Sequence, residues 1–189
     1  IFNLFKTYEP SFLIAPIDWL KNSKIDDLMI LDNIYDYSIC RTNYQKFPKM
    51  NRNLSVLLPT SGSMGSPKYV RLSHQNLKAN ADSIINFLKI ESKDRAVTTM
   101  PYSYSFMLSI INTHIESGAS ILVCNHSVTQ KKFWEQFKNN HVTSLSGVPY
   151  IFDIFLKLGL NKIYIPSLCT FTQAGGKLDN KSAKKILEF

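Results

Sequence analysis

From Leu54 onward, short apolar runs and helix-length amphipathic segments take turns along the chain, and this alternation limits the fold more than any other feature. Residues 54–58, 95–100, 120–124, 142–146 and 168–173 read as strands. Residues 74–88, 106–115, 129–139, 150–158 and 180–187 read as helices. Helices of this length between strands are what parallel crossovers require, so the pattern predicts an α/β fold with a mostly parallel sheet and flanking helices. Local punctuation agrees: Pro101 follows one strand, and Gly118 and Gly159 close two helices. Ser73 stands as an N-cap ahead of Leu77, Ala81, Ile84, Ile85 and Leu88, which share one helical face. Before residue 54 the pattern is mixed, with strand candidates at 12–15 and 28–31 and a polar, basic loop over 43–53.

Between the run at 54–58 and a short extended piece at 69–72 lies Thr60-Ser61-Gly62-Ser63-Met64-Gly65-Ser66-Pro67-Lys68. By composition alone such a stretch is a turn. Its chemistry also suits polyphosphate. Gly62 and Gly65 allow close backbone approach. Thr60, Ser61, Ser63 and Ser66 add hydroxyls to a loop whose successive N–H groups form an anion-binding concavity. Lys68 adds a compact positive charge behind the stiffening Pro67. The spacing is not that of a P-loop, because Gly65 is followed by Ser66-Pro67-Lys68 and not directly by lysine.

The order of these residues, followed by Val70 and Ser73-His74-Gln75-Asn76-Leu77, resembles the phosphate-loop signature of AMP-forming adenylating enzymes: acyl-CoA synthetases, peptide-synthetase adenylation domains and luciferases. That signature reads roughly T-S-G-T-T-G-x-P-K-G-V, then S-H-x-N-L. Ser63 and Met64 replace its threonines and Tyr69 a glycine, and Met64 removes one hydroxyl. Three further segments match in the same order. Pro101-Tyr102-Ser103-Tyr104-Ser105-Phe106 resembles a motif whose aromatic, here Tyr104, lines the acyl pocket. Ser144-Leu145-Ser146-Gly147-Val148-Pro149 resembles a scaffold turn. Thr172-Gln173-Ala174-Gly175-Gly176-Lys177-Leu178 resembles the segment that walls the nucleotide.

The resemblance implies ATP-dependent activation of a carboxylic acid to an acyl-adenylate, with pyrophosphate release and transfer to a thiol on CoA or an acyl or peptidyl carrier protein. It assigns phosphate binding to Thr60, Ser61, Gly62, Ser63, Met64, Gly65 and Lys68, with Lys68 also catalytic. It assigns nucleotide contact to Gly175, Gly176 and Lys177, and the acyl pocket to Tyr104. The cofactors implied are ATP and Mg2+, the magnesium ligands falling mostly outside these residues. It further implies that residues 1–189 are one truncated portion of the N-terminal AMP-binding domain, inactive alone, because the family's Tyr-Gly-x-Thr-Glu and Thr-Gly-Asp segments and its C-terminal domain do not occur in them. A non-catalytic nucleotide-binding or interaction module that keeps the loop is the alternative.

Composition bounds the rest. At 189 residues with 44% hydrophobic and 19% charged content, the chain is long and apolar enough for a substantial core. A net charge of +8 would suit nucleic acid, but the lysines and arginines are scattered and no aromatic–basic ladder appears, so no nucleic-acid partner is expected. No apolar run reaches the ~20 residues of a membrane helix, and no secretory leader opens the chain, so the expected setting is cytoplasmic. Cys40, Cys124 and Cys169 are far apart and read as reduced, mostly buried thiols. The four histidines are equally dispersed, and no metal site is expected.

Overall fold

The computed structural model describes residues 5, 7–23, 25, 27–44, 49–60, 68–159 and 164–187. Contacts divide the chain into two compact units, Ile1–Arg52 and Asn53–Phe189.

The first unit is an antiparallel sheet of β1 (Phe12–Pro16), β2 (Met29–Ile34) and β3 (Tyr37–Arg41), in the order β1-β3-β2. A short helix, α1 (Ile17–Asn22), follows β1 directly. Two strands meet the sequence expectation. The central one, β3, has no apolar run to announce it. Tyr37-Ser38-Ile39-Cys40-Arg41 becomes a strand because both neighbours pair with it. One face of the sheet buries Ala15, Ser38 and Cys40, and the other leaves Phe12, Ile14 and Met29 exposed.

The second unit begins with a hairpin of β4 (Leu54–Pro59) and β5 (Tyr69–Ser73), antiparallel and in register at Leu58↔Val70 and Pro59↔Tyr69. These strands form their own two-stranded sheet and stand outside the parallel one. Ser73 then starts α2 (His74–Leu88) with a full capping box: its hydroxyl accepts from the Asn76 N–H at 3.1 Å, and the Asn76 side chain accepts from the Ser73 N–H at 3.1 Å.

Four parallel strands follow, β6 (Arg95–Val97), β7 (Ser120–Leu122), β8 (Ser144–Gly147) and β9 (Thr170–Gln173), in the order β7-β6-β8-β9. The crossovers are α3 (Ser105–Glu116), α4 (Lys131–Asn139) and α5 (Pro149–Lys157), and α6 (Asn180–Leu187) closes the series. The α/β class with a parallel sheet and flanking helices is therefore as the alternation predicts. β6 is shorter than the expected 95–100 because Thr98 leaves the ladder. Its hydroxyl accepts from the Cys124 N–H at 2.9 Å, so a side chain replaces the next strand bond.

Alternation along the strands sorts the two faces. Val97 and Leu145 point into the main core with Phe133, Trp134 and Phe137 of α4 and Phe152 and Phe155 of α5. These aromatics meet edge-on or tilted, with centroids 5.0–6.0 Å apart. Ala96 points the other way, to Met107 and Ile110 of α3, and α2 packs outside α3. On that second face β8 and β9 present Ser144, Ser146 and Thr172, so its lining is polar where the first is aromatic. Among the described residues no helix is long and apolar enough to cross a membrane. Cys40 and Cys124 are buried, Cys169 is exposed, and all three are free.

Candidate functional site

The strand order fixes where a ligand can sit. After β6 the chain turns to α3 on one face, and after β8 it turns to α5 on the other. Adjacent strands whose connections diverge in this way open a crevice beyond their carboxyl ends. The segment 98–104, the turn at Val148-Pro149 and the loop after β9 each leave the carboxyl ends of these strands.

Each border is built from small local rules. Tyr104 is the N-cap residue of α3 and is exposed; its N–H donates to the Pro101 carbonyl at 3.1 Å, which closes a turn at the mouth. Gly147 must lack a side chain: a Cβ there would sit 2.8 Å from Cβ of Ile151, one turn into α5. Gly175 has φ +81°, and a Cβ there would lie 3.1 Å from Cγ1 of Val148. A Cβ on Gly176 would lie 3.1 Å from Cγ of Pro149. The two glycines therefore lay bare backbone against the β8–α5 turn. Gln173 folds the loop back by donating to the Gly176 carbonyl at 2.9 Å. Lys177 follows and is exposed. Tyr104 and Gly175-Gly176, far apart in sequence, thus stand at one edge of one sheet.

The hairpin carries the remaining candidates. Beyond Pro59↔Tyr69 its neck is closed by Thr60, whose N–H and hydroxyl both donate to the Lys68 carbonyl, at 2.8 and 3.1 Å. Lys68 is exposed, and no ion pair among the described residues engages its ammonium. Ser61, Gly62, Ser63, Met64 and Gly65, with Ser66 and Pro67, lie outside the described residues. Among the described residues no three His, Cys, Asp or Glu side chains converge.

Sequence reasoning passed over a polar seam behind this edge. The Ser146 and Thr172 hydroxyls lie 2.6 Å apart, and Ser144 Oγ lies 3.4 Å from His114 Nε2 on α3. His114 Nδ1 is 2.8 Å from the Ile110 carbonyl, which only accepts, so Nδ1 carries the hydrogen. Burial pushes the His114 pKa below its ordinary value near 6.5, while the Ile110 hydrogen bond and the Asp94 charge oppose the shift. The signal was present as hydroxyls at period two, Ser144-Leu145-Ser146 and Thr170-Phe171-Thr172.

The family model described as AMP-binding enzyme matches residues 15–188. The oxalate–CoA ligase of Saccharomyces cerevisiae is 28% identical over 133 residues, which are 69% of this chain and 24% of that protein. The D-alanine–D-alanyl carrier protein ligase of Listeria monocytogenes is 22% identical over 191 residues, 97% of this chain and 38% of that protein. The fold is similar to that of the O-succinylbenzoate coenzyme A synthetase of Bacillus subtilis in complex with AMP, with a TM-score of 0.64 and 21% identity over 71% of this chain and 27% of that one. The chain thus spans between a quarter and two fifths of these curated relatives. With a family model matched along nearly its whole length, the chain belongs to the AMP-binding enzyme family.

Proposed function

We propose that the protein carrying this chain activates a carboxylic acid with ATP. A carboxylate oxygen attacks the α-phosphorus of ATP, the bond to the β-phosphate oxygen breaks, and pyrophosphate leaves with the electron pair. The acyl-adenylate then passes its acyl group to a thiol of CoA or of a carrier protein, releasing AMP. The observation that carries this reading is that Gly175-Gly176, just beyond the carboxyl end of β9, packs bare backbone against Val148 and Pro149 of the β8–α5 turn.

The chain's own groups have distinct tasks in this reading. Residues 61–67 are proposed to offer amides and the Ser61, Ser63 and Ser66 hydroxyls to the β- and γ-phosphates. Because the Thr60 hydroxyl already donates to the Lys68 carbonyl, its task is to hold the neck shut. The Lys68 ammonium meets charge as it builds on the departing pyrophosphate, and a preorganised donor there lowers the barrier. Gly175-Gly176 lets the flat base approach the backbone, with Lys177 at the rim. Tyr104 borders the acyl group. Mg2+ when bound would neutralise triphosphate charge, with its protein ligands proposed to fall mostly outside residues 1–189. A cytoplasmic setting, where ATP is plentiful, goes with this reading. The 189 residues by themselves are proposed to bind ATP weakly and not to turn over.

The test is acid-dependent exchange of labelled pyrophosphate into ATP by the complete protein across a panel of carboxylic acids. Exchange with one class of acid is expected. ATP binding with no exchange for any acid would leave a non-catalytic nucleotide module instead.

A further inference from the structure

A cavity of about 660 Å3 lies between α3, the end of α2 and the polar face of β8 and β9, within the range that holds small organic ligands. Its lining includes Gln173, two residues before Gly175, and Phe106, two residues after Tyr104, which brings it next to the residues proposed to border the acid. It runs back along β8 from Ser146 to Ser144 and on to Asp94, which precedes β6. Ile84, Leu88, Phe106, Ile110 and Phe171 supply apolar walls.

The floor is different in kind, since it carries the hydroxyls of Ser144, Ser146, Thr170 and Thr172. The bond between Ser146 and Thr172 uses one of their two hydrogens, leaving a donor and several lone pairs for a ligand. Ser144 directs its hydrogen to the accepting Nε2 of His114, so its oxygen faces outward as an acceptor. A hydrocarbon laid on this floor would strip water from these hydroxyls and return no hydrogen bond. The charges at the far end are largely engaged. Lys93 pairs with Glu91 at 2.6 Å, and Asp94 accepts from the Glu91 N–H at 2.8 Å and the Thr143 hydroxyl at 3.1 Å. Lys89 is exposed to solvent. Such an end does not select a second ionic group.

Resting on the adenylation reading, we propose that this cavity receives the body of the acid, and that the acid is a hydroxylated carboxylate, uncharged apart from its carboxylate. Ser146 and Thr172 are its specificity-determining residues.

The experiment measures binding of 4-hydroxybenzoate and benzoate, and of 6-hydroxyhexanoate and hexanoate, to the complete protein by calorimetry without ATP. Pyrophosphate exchange is followed with the same four acids. The wild-type protein is expected to bind the hydroxylated member of at least one pair about tenfold or more tightly. The Ser146→Ala/Thr172→Val variant is expected to erase that preference and leave the unsubstituted acid within about twofold of its wild-type affinity. Equal affinities in the wild-type protein, no binding of any of the four, or a preference unmoved in the variant would each overturn the proposal. The wild-type comparison stands even if the variant does not fold. A preference in binding without exchange would sink the adenylation reading and keep the cavity. Exchange without a preference would do the reverse.

Discussion

Gly175 concentrates two demands at one position: a left-handed backbone at φ +81° and no room for a methyl group beside Val148. Each disfavours any other residue, so Gly175→Ala is expected to lower stability by about 1–2 kcal/mol and to displace the wall of the crevice. Chemical denaturation of the variant checks the first effect, and loss of AMP affinity in the complete protein checks the second. Lys68 is the converse case, an exposed ammonium with no stabilising partner among the described residues. Lys68→Ala in the complete protein is expected to leave the melting temperature unchanged and to slow pyrophosphate exchange by about a hundredfold, the loss typical of one preorganised donor to developing charge. Unchanged exchange kinetics would remove Lys68 from the site.

At the scale of elements, the joint between the hairpin and α2 rests on Ser73. Its hydroxyl holds the Asn76 N–H, and the Asn76 side chain holds the Ser73 N–H in return. Ser73→Ala removes the hydroxyl half of this box, leaving the Asn76 N–H without its partner, and is expected to cost about 1 kcal/mol, read as a lower denaturant midpoint with an unchanged slope. The same element scale shows why boundaries moved where they did. β6 ends at Val97 because Thr98 bonds to the Cys124 N–H through its side chain, and that depends on a partner 26 residues away. β3 exists because two strands flank it. The helix His74–Leu88, by contrast, was legible to the residue, because its cap and its apolar face are both local.

For the whole molecule, stability should depend on pH through His114. Its folded pKa is lowered by burial, so between about 6.5 and that lower value the unfolded chain binds a proton which the folded chain resists. The stability present above pH 6.5 is therefore lost as the pH falls through this window. His114→Gln is expected to flatten that part of the profile, read from urea midpoints between pH 7.5 and 5. An acid slope identical to that of the wild-type protein would show that the imidazole does not carry it. What residue order determined without help was the α/β class, the helices of the second unit and the ordered set of motifs, since periodicity, caps and glycine spacing act over a few residues. Only the tertiary structure decided that Thr60 and Lys68 close the neck of an antiparallel hairpin, that Gly175 and Gly176 pack against the β8–α5 turn, and that the hydroxyls of Ser144, Ser146 and Thr172 share the sheet face that α3 covers. Those outcomes depend on which strands pair and in what order, and that order is set by contacts between residues tens of positions apart.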